Sequence, residues 1–202
     1  MKLFLWDQSR QAADSRQLLR TAILQYETAK QNRTKHGEPV EESLFVIRQA
    51  PGGKPYPARP DGSPLTLQVS VSHTGRWWMC AVGRGPVGLD GELRSRSVKR
   101  SVVRRICTEQ ELEWLTADGD DEEQIRRRLL WIWVRKEAYV KYLGTGISRG
   151  LKTFSVIEEG NQADGFLTVD WRSVSEEAAE ELETALYAPG ECVEGMEWIR
   201  WK

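Results

Sequence analysis

The stretch WIWVRKEAYVKYLGTGIS, residues 131–148, predicts a long amphipathic helix that ends in a glycine-rich segment. Trp133, Glu137 and Lys141 are spaced four residues apart, so in a helix they stand one above another on a single face. The ordinary explanation of such a Glu-to-Lys pair is an exposed ion pair, which stabilises a helix only slightly. Glu137 and Lys141, however, continue part of an apolar stripe that begins at Ile125. We therefore expect them to face another part of the protein or a ligand.

The composition is that of a globular protein rather than a polycation. The chain has 202 residues, of which 40% are hydrophobic, and this is enough for one sizeable core or two small lobes. Charged residues make up 29% of the chain and the formal net charge is −1. A general nucleic-acid binder usually carries a strong basic excess, so the charge balance argues against that class.

The cysteines and the first residues bear on the cellular compartment. Cys80, Cys107 and Cys192 form no CxxC pair and only two histidines are present, which argues against a structural zinc site. An odd, scattered set of cysteines is typical of reduced thiols in the cytoplasm. The uninterrupted apolar run before Asp7 is four residues long, which is too short for a signal peptide, and no run is long enough to span a bilayer. We expect a soluble, cytoplasmic protein.

Strands and helices alternate along the whole chain. Strands are predicted at 3–6, 44–50, 65–71, 77–82, 87–90, 153–159, 165–171 and 196–202, and helices at 14–31, 97–115 (in two pieces) and 175–187. An acidic loop at 118–123 leads into the long helix quoted above, which ends at Gly144 and Gly146. Five prolines and three glycines predict an extended loop without regular structure at 51–64. Residues 73–76 are predicted to form a turn, and Thr108 with Glu111 fits a capping box. The first helix can be capped by Asp14 or Ser15.

This order of elements predicts an α+β fold with two similarly built lobes. A division near Gly85–Pro86 leaves an N-terminal lobe of residues 1–86 and a C-terminal lobe of residues 87–202. Each lobe is expected to hold a long helix against a small, mostly antiparallel sheet.

Asp90 and Glu92 form the first group of residues with a chemical signature. They are two residues apart at the end of a strand-like run, so both side chains point to the same side. Two carboxylates on one face repel each other unless a cation or a basic group lies between them. Mg²⁺ prefers such oxygen ligands together with substrate phosphates. A solvated acidic turn is the simpler explanation of an isolated Asp-x-Glu pattern.

Lys54, Ser72 and His73 are weaker signals on their own. Gly52 and Gly53 allow the backbone to come close to a ligand, and Lys54 could then meet a phosphate, although the P-loop pattern is missing. His73 follows a strand and can present its imidazole, but a lone histidine is more often a half-buried structural residue. No nucleophile-elbow motif accompanies Ser72.

Four motifs in a fixed order give the sequence a resemblance to a known family. GKP at 53–55, SVSHTGRWWMCAV at 70–82, VGLDGE at 87–92 and WVRKEAYVKYLGTGIS at 133–148 follow one another. In this order and at these distances the chain resembles the 4'-phosphopantetheinyl transferases of the surfactin-synthetase-activating type. The resemblance covers roughly residues 50 to 150 with specific motifs, and the rest of the chain more loosely.

The resemblance implies a group-transfer enzyme. Such enzymes move the phosphopantetheine arm of coenzyme A to a serine of an apo acyl, peptidyl or polyketide carrier protein and release adenosine 3',5'-bisphosphate. It implies Mg²⁺ bound by Asp90, Glu92 and Glu137. Glu137, directly or through a metal-bound water, is the residue implied to take the serine proton, and Lys141 is implied to sit on the phosphates.

The remaining implied contacts concern coenzyme A and the fold. Lys54, Ser72 and His73 would contact the phosphates of coenzyme A, and a basic residue of the first helix, Arg16 or alternatively Arg20, would help to hold the nucleotide. The family fold is a pseudo-dimer of two α+β lobes with the active site between them. We expect a monomer whose partner is a carrier protein, with no nucleic acid or membrane.

The chain also departs from the family pattern. Gly91 stands where a branched apolar residue is usual, which would loosen the strand between Asp90 and Glu92. The segment before the first helix is short, so the residues that meet the 3'-phosphate are left open among Lys30, Arg33, Lys35 and Arg48. Glu109 matches a glutamate often found at this point of the family and is kept as a second-line candidate.

Two other functions were weighed. A non-catalytic carrier-protein or nucleotide-binding relative could keep the same fold, but it would not need Asp90, Glu92, Glu137 and Lys141 together. A helical nucleic-acid binder could use the arginine-rich runs at 97–105 and 125–130. These arginines fit solvated helix faces or a docking surface for an acidic carrier protein equally well.

Overall fold

The computed structural model describes residues 1–31, 45–116, 121–146, 150–158, 161–167 and 169–200. The strands are β1 (Lys2–Asp7), β2 (Val46–Gln49), β3 (Pro55–Ala58), β4 (Gln68–Thr74), β5 (Trp77–Gly83), β6 (Gly88–Leu93), β7 (Ile157–Glu158), β8 (Asn161–Gln162), β9 (Phe166–Leu167), β10 (Leu182–Tyr187) and β11 (Gly195–Trp198). The helices are α1 (Ser15–Gln31), α2 (Arg100–Ile106), α3 (Glu109–Thr116), α4 (Glu122–Leu143) and α5 (Glu176–Glu181). The predicted mixed α+β class is confirmed. None of the helices in these ranges combines the length and the apolar character that crossing a membrane requires.

The first sheet has four strands in the order β11-β1-β5-β4. Strands β1, β5 and β4 pair antiparallel, whereas β11 pairs parallel to β1. Because β11 belongs to the predicted C-terminal lobe, this sheet combines strands from both sides of the predicted division at residue 86. The hairpin of β4 and β5 turns at Gly75, whose φ of 53° favours glycine. The turn is therefore shorter than predicted, because His73 and Thr74 still pair with Trp78 and Trp77.

Helix α1 covers one face of this sheet. The Asp14 carboxylate accepts hydrogen bonds from the amides of Arg16 at 2.9 Å and Gln17 at 3.2 Å, as a capping residue should. The buried contact between helix and sheet includes Leu18, Ile23, Phe4, Trp78 and Cys80. On the opposite face, Leu3, Leu5 and Met79 pack with Leu89 and Leu186 of the second sheet. The core therefore continues from one sheet to the other.

The second sheet has the order β6-β10-β9, and helix α4 packs against β6 and β10. The sequence prediction of a helix over 175–187 is wrong in its second half, because α5 ends at Glu181 and Leu182–Tyr187 forms β10. All six residues of β10 pair with β6, and Leu182, Ala185 and Leu186 are buried. Packing in the sheet therefore overrides the helix propensity of this segment.

Two further predictions need correction. Residues 51–64 were expected to lack regular structure, yet Pro55–Ala58 pairs with Val46–Gln49 in a two-stranded sheet. Prolines are tolerated there because each strand of a two-stranded sheet has one unpaired side, and a proline whose nitrogen lies on that side removes no hydrogen bond between the strands. The strands predicted at 153–159 and 165–171 shrink to the two-residue strands β7 and β9.

Helices α3 and α4 are joined by a buried ion pair. The predicted capping box is present: the Thr108 amide donates to Glu111 Oε2 at 2.8 Å, and the Glu111 amide donates to Thr108 Oγ1 at 3.2 Å. The same carboxylate lies 2.8 Å from Lys136 Nζ, and both side chains are 0% exposed. Lys136 also donates to the carbonyl oxygens of Leu151 at 2.8 Å and Phe154 at 2.6 Å. Lys136 therefore lies inside the core, although it is a direct neighbour of Glu137 in the sequence.

Replacing Lys136 by methionine is expected to lower the free energy of unfolding by about 3–5 kcal/mol, because the buried Glu111 carboxylate loses its counter-charge. Urea unfolding followed by circular dichroism measures this change. Lys152→Met is the matched control, since Lys152 is exposed and its loss should change stability by less than about 0.5 kcal/mol. Equal stabilities for the two variants would contradict the structural role of the buried pair.

Candidate functional site

The site begins with the close approach of α4 to β6 at Gly88. A Cβ atom on Gly88 would overlap the carbonyl oxygen of Ala138 and lie 2.5 Å from the amide nitrogen of Tyr142. Only glycine leaves room for the helix backbone at this point. The helix therefore lies directly on the strand, and Lys141 Nζ reaches Asp90 Oδ1 at 2.7 Å.

Asp90 is held from two sides and is left with one bare oxygen. Its side chain is largely buried, and Oδ1 accepts hydrogen bonds from Ser72 Oγ at 2.8 Å and from Lys141 Nζ at 2.7 Å. Asp90 Oδ2 is also buried but has no hydrogen-bond partner. A buried carboxylate oxygen without a partner is costly, so this atom marks a place for a cation or a donor.

Glu137 has the same deficiency on the facing helix. Its Oε1 atom is buried without a hydrogen-bond partner. Burial, and then the nearby charge of Asp90, raise the pKa of Glu137, while Lys141 and Arg96 act in the opposite direction. The protein thus brings two carboxylates together and satisfies neither completely.

Glu92 follows Asp90 on the same side of β6 but is already engaged. Thr74 Oγ1 donates to Glu92 Oε2 at 2.8 Å, and Arg96 forms an ion pair with Oε1. Across the parts of the chain that the structure describes, no three histidine, cysteine, aspartate or glutamate side chains are grouped as a complete metal site. Asp90 and Glu137 fit Mg²⁺ as a pair, because this ion is often held by only one or two carboxylates together with phosphates.

A cleft of about 250 Å³ lies beside these residues. It is lined by Gly52, Gly53, Lys54, Pro55, Ser70, Val71, Glu137, Val140, Lys141, Gly144 and Gly146. Gly144 ends α4 in the left-handed conformation, with a φ of 68°, as the glycine-rich exit predicts. A Cβ atom on Gly52 would overlap the carbonyl oxygen of Gly144, so glycine at position 52 lets the turn at 51–54 pack directly against the end of α4.

Lys54 presents a half-buried amine to the cleft. Its Nζ donates to the carbonyl oxygen of Val87 at 2.8 Å. Burial lowers the pKa of Lys54 to about 8, since the charged amine loses hydration. An anion placed next to Lys54 would offset that cost. The prediction that Lys54 can meet a phosphate is therefore compatible with its position.

The structure does not bring every predicted residue to the cleft. His73 is exposed on β4, where alternation places it on the opposite face from Ser72. Arg16 is exposed in the first turn of α1, and Arg20 donates to the carbonyl oxygen of Phe45 at 3.0 Å. Arg48 on β2 and Glu109 at the start of α3 are exposed as well, and none of these five residues belongs to the lining.

Some predicted positions lie outside the described residues. They are the side chain of Lys30, the residues Arg33 and Lys35, and the end of the glycine-rich motif at 147–149. Gly91 is described and corrects one expectation, because the strand there is regularly paired with Thr184. The Met79 side chain occupies the space of the missing side chain, with its methyl group 2.7 Å from a Cβ built on Gly91.

The sequence analysis missed the roles of Gly88, Ser70 and Thr74. Ser70, Ser72 and Thr74 recur at every second position of a strand, which places three hydroxyl groups on one face. That pattern could have indicated a polar contact along β4. Nothing in the spacing could have shown that β6 lies opposite.

Replacing Glu137 by glutamine is expected to stabilise the protein at pH 8. The raised pKa means that the folded state favours the protonated carboxyl, so stability is lost as pH rises through that pKa. Glutamine cannot ionise and avoids this loss. Thermal unfolding at pH 8 and pH 4 measures the difference, which should shrink at the lower pH. A variant less stable than the wild type at pH 8 would contradict the proximity of the two charged carboxylates.

Pyrophosphate binding is expected to take up a proton at about pH 9, where most Lys54 amines are neutral. The reason is that an adjacent anion raises the lowered pKa of Lys54 again. Calorimetric titrations in two buffers with different ionisation heats measure the proton uptake. It should disappear in Lys54→Met and persist in Lys152→Met, whose lysine is exposed. Equal heats in both buffers for the wild type would contradict this expectation.

Comparison with known proteins places the chain among its relatives. Residues 86–188 match the family model described as the 4'-phosphopantetheinyl transferase superfamily. The chain is 34% identical over 105 residues to a 4'-phosphopantetheinyl transferase of Bacillus subtilis, an alignment that spans 52% of this chain and 43% of the relative. It is 30% identical over 156 residues to a 4'-phosphopantetheinyl transferase of Paxillus involutus, which spans 68% of this chain and 58% of the relative.

A shorter relative shows the same relationship. The chain is 35% identical over 96 residues to a holo-[acyl-carrier-protein] synthase of Shewanella oneidensis, which spans 46% of this chain and 72% of the relative. The matched part of the chain thus corresponds to about half the length of the longer curated relatives. It contains β6 and α4, the two elements that carry Asp90, Glu137 and Lys141. Because the family model covers about half of the sequence, the chain belongs to the 4'-phosphopantetheinyl transferase superfamily.

Proposed function

We propose that the protein transfers the 4'-phosphopantetheine arm of coenzyme A to a serine hydroxyl of an apo acyl, peptidyl or polyketide carrier protein, with release of adenosine 3',5'-bisphosphate. One observation carries the proposal. Two buried carboxylate oxygens without partners, on Asp90 and Glu137, adjoin the ammonium group of Lys141 at a cleft. This arrangement complements a pyrophosphate that arrives with a divalent cation. Membership of the superfamily supports the same reaction.

Mg²⁺ is the proposed cofactor, and Asp90 and Glu137 are the residues best placed to hold it. Glu92 completes the predicted set, although its carboxylate is bound by Thr74 and Arg96 in this structure. When bound, the cation would neutralise charge on the pyrophosphate as its bond breaks. The other contributions come from the side chains of the chain itself.

Lys141 is proposed to stabilise the charge that develops on the phosphates. Its ammonium group has three donors, and two of them go to Asp90 Oδ1 and to the carbonyl oxygen of Val71 at 3.1 Å. The remaining donor is free to reach a phosphate without loss of the contact that positions the lysine. Lys141 therefore links the carboxylates to the substrate.

Glu137 is proposed to take the proton of the carrier serine, directly or through a water. A general base works best when its pKa lies near the working pH, and burial beside Asp90 moves the pKa of Glu137 in that direction. The Glu137 carboxylate has two oxygens, so one can face the cation while the other accepts the proton or holds the water.

Coenzyme A is proposed to occupy more than the cleft. A volume of about 250 Å³ is at the small end for a ligand site, so it suits the pyrophosphate region rather than the whole molecule. Lys54 lines this region, and Ser72 lies next to it beneath Asp90. His73 and Arg16 are exposed and remain predicted contacts for parts of the nucleotide that extend over the surface.

The lobes predicted at 1–86 and 87–202 are proposed to be the halves of a pseudo-dimer with the site between them. The residues that line the cleft support this proposal, because they come from both ranges. Lys54 and Ser70 belong to residues 1–86, and Glu137 and Lys141 belong to residues 87–202. We further propose a cytoplasmic monomer whose macromolecular partner is a carrier protein rather than nucleic acid or a membrane. The buried free thiols of Cys80 and Cys107 are consistent with a reducing compartment.

Asp90→Ala and Glu137→Ala are each expected to lower transfer by at least about a hundredfold, because each removes a carboxylate from the reacting centre. The assay incubates the enzyme with coenzyme A, Mg²⁺ and a panel of apo carriers, and mass spectrometry detects the added arm. Glu113→Ala is the matched control, since Glu113 is exposed on α3. Glu109→Ala, run in parallel, decides whether the second-line candidate takes part.

Two outcomes would overturn the assignment. Transfer near the wild-type rate in Asp90→Ala or Glu137→Ala, with Glu113→Ala also active, would remove these residues from the reacting centre. No mass increase on any carrier with the wild-type protein would favour the non-catalytic relative instead.

A further inference from the structure

We propose that Thr74 and Ser72 are positioning residues that fix the carboxylates of Glu92 and Asp90 for the cation. The inference rests on the proposed function, because it concerns the same carboxylates. It goes beyond that function in assigning work to Thr74, and in giving Ser72 a task other than contact with coenzyme A.

The starting point is the contact between β4 and β6. These strands belong to different sheets, so no ladder of backbone hydrogen bonds connects them. Hydroxyl groups on one face of β4 make the connection instead. Ser70 Oγ accepts a hydrogen bond from the Leu89 amide at 2.8 Å. The first hydroxyl therefore binds only the backbone of β6.

The second hydroxyl binds both backbone and carboxylate. Ser72 Oγ accepts from the Gly91 amide at 3.3 Å and donates to Asp90 Oδ1 at 2.8 Å. A serine hydroxyl has a single proton, and here it goes to the carboxylate. Since Lys141 also binds Oδ1, both donors hold the same oxygen and leave Oδ2 bare. This division of the two oxygens keeps one of them available to a cation.

The third hydroxyl binds only a carboxylate. Thr74 Oγ1 donates to Glu92 Oε2 at 2.8 Å, while Arg96 pairs with Oε1. Threonine has a restricted χ1 angle and lies on a paired strand, so its hydroxyl is a rigid partner. The Arg96 side chain is 48% exposed, whereas that of Glu92 is 12% exposed. Arg96 can therefore turn out to solvent when a cation takes its place beside Glu92, while Thr74 keeps the orientation of the carboxylate.

The three hydroxyls thus form a series with different targets. Ser70 joins the strands, Ser72 joins the strands and holds Asp90, and Thr74 holds Glu92 alone. Residues that orient metal ligands typically contribute about 10–100-fold to metal affinity. Removal of the Thr74 hydroxyl should show this effect without disturbance of the contact between strands.

The test measures binding of Mn²⁺ alone by the loss of its free electron paramagnetic resonance signal. Thr74→Val keeps the shape of the side chain and removes the hydroxyl, so the affinity should fall by about tenfold or more. Thr74→Ser restores the hydroxyl and should recover most of the affinity. Thr74→Ala serves as a second hydroxyl-free variant. Melting temperatures without metal verify that each variant is folded.

Ser70→Ala is the matched control within the same series. It orphans the Leu89 amide and should lower the melting temperature, but it should leave the Mn²⁺ affinity within about twofold of the wild type, because its hydroxyl touches no carboxylate. The inference is supported if the Mn²⁺ affinity is reduced in Thr74→Val, close to that of the wild type in Thr74→Ser, and unchanged in Ser70→Ala.

The contrary outcomes are distinct. If the wild type binds Mn²⁺ and Thr74→Val binds it equally well, the inference fails and the proposed function is untouched. If Ser70→Ala loses as much affinity as Thr74→Val, the hydroxyls act only by joining the strands, and the inference also fails. If the wild type binds no Mn²⁺, the metal part of the proposed function fails and this inference falls with it.

Discussion

The packing of α4 on β6 at Gly88 is the contact on which the site depends. It sets the helix so close to the strand that Asp90 and Glu137 become neighbours, although their charges repel. Such a placement must be maintained by contacts elsewhere. The buried pair of Glu111 and Lys136 anchors the same helix to α3 and to the carbonyl oxygens of Leu151 and Phe154. The helix is thus fixed by a completely satisfied ion pair in the core and presents unsatisfied carboxylates to the cleft.

Two adjacent charged residues of α4 therefore differ in how well their charges are compensated. Lys136 is surrounded by acceptors, whereas Glu137 lacks a partner for a buried oxygen. The residues around the cleft also include groups of both charges that lack full compensation. They are the unpartnered carboxylate oxygens near Lys141 and the poorly hydrated amine of Lys54. An anion that brings a divalent cation would satisfy both kinds of group at once. The described residues therefore include acceptors for a cation and a donor for an anion within one site.

Much of the fold follows from local sequence signals, while the exceptions depend on distant partners. The capping box of Thr108 and Glu111 and the end of α4 at Gly144 are encoded within a few residues, and the structure shows both. Residues 182–187 were predicted as helix because helix propensity depends only on the local sequence. Their strand conformation depends on pairing with β6, which is distant in the sequence. Asp90, Glu137 and Lys141 were singled out because the order of their motifs is specific, and the structure brings them close together. The hydroxyls of Ser70 and Thr74 were missed because only the meeting of two sheets gives them partners.

The parallel pairing of β11 with β1 has a consequence for the order in which the protein forms. Leu3 and Leu5 are synthesised long before Met196 and Trp198, the residues with which they pair. During synthesis, β1 can pair with β5 on one side while its other edge stays open. Open strand edges invite pairing with other chains, and contacts between distant residues form slowly. The first sheet therefore cannot be completed until β11 has been made, and the free edge of β1 is open to mispairing until then.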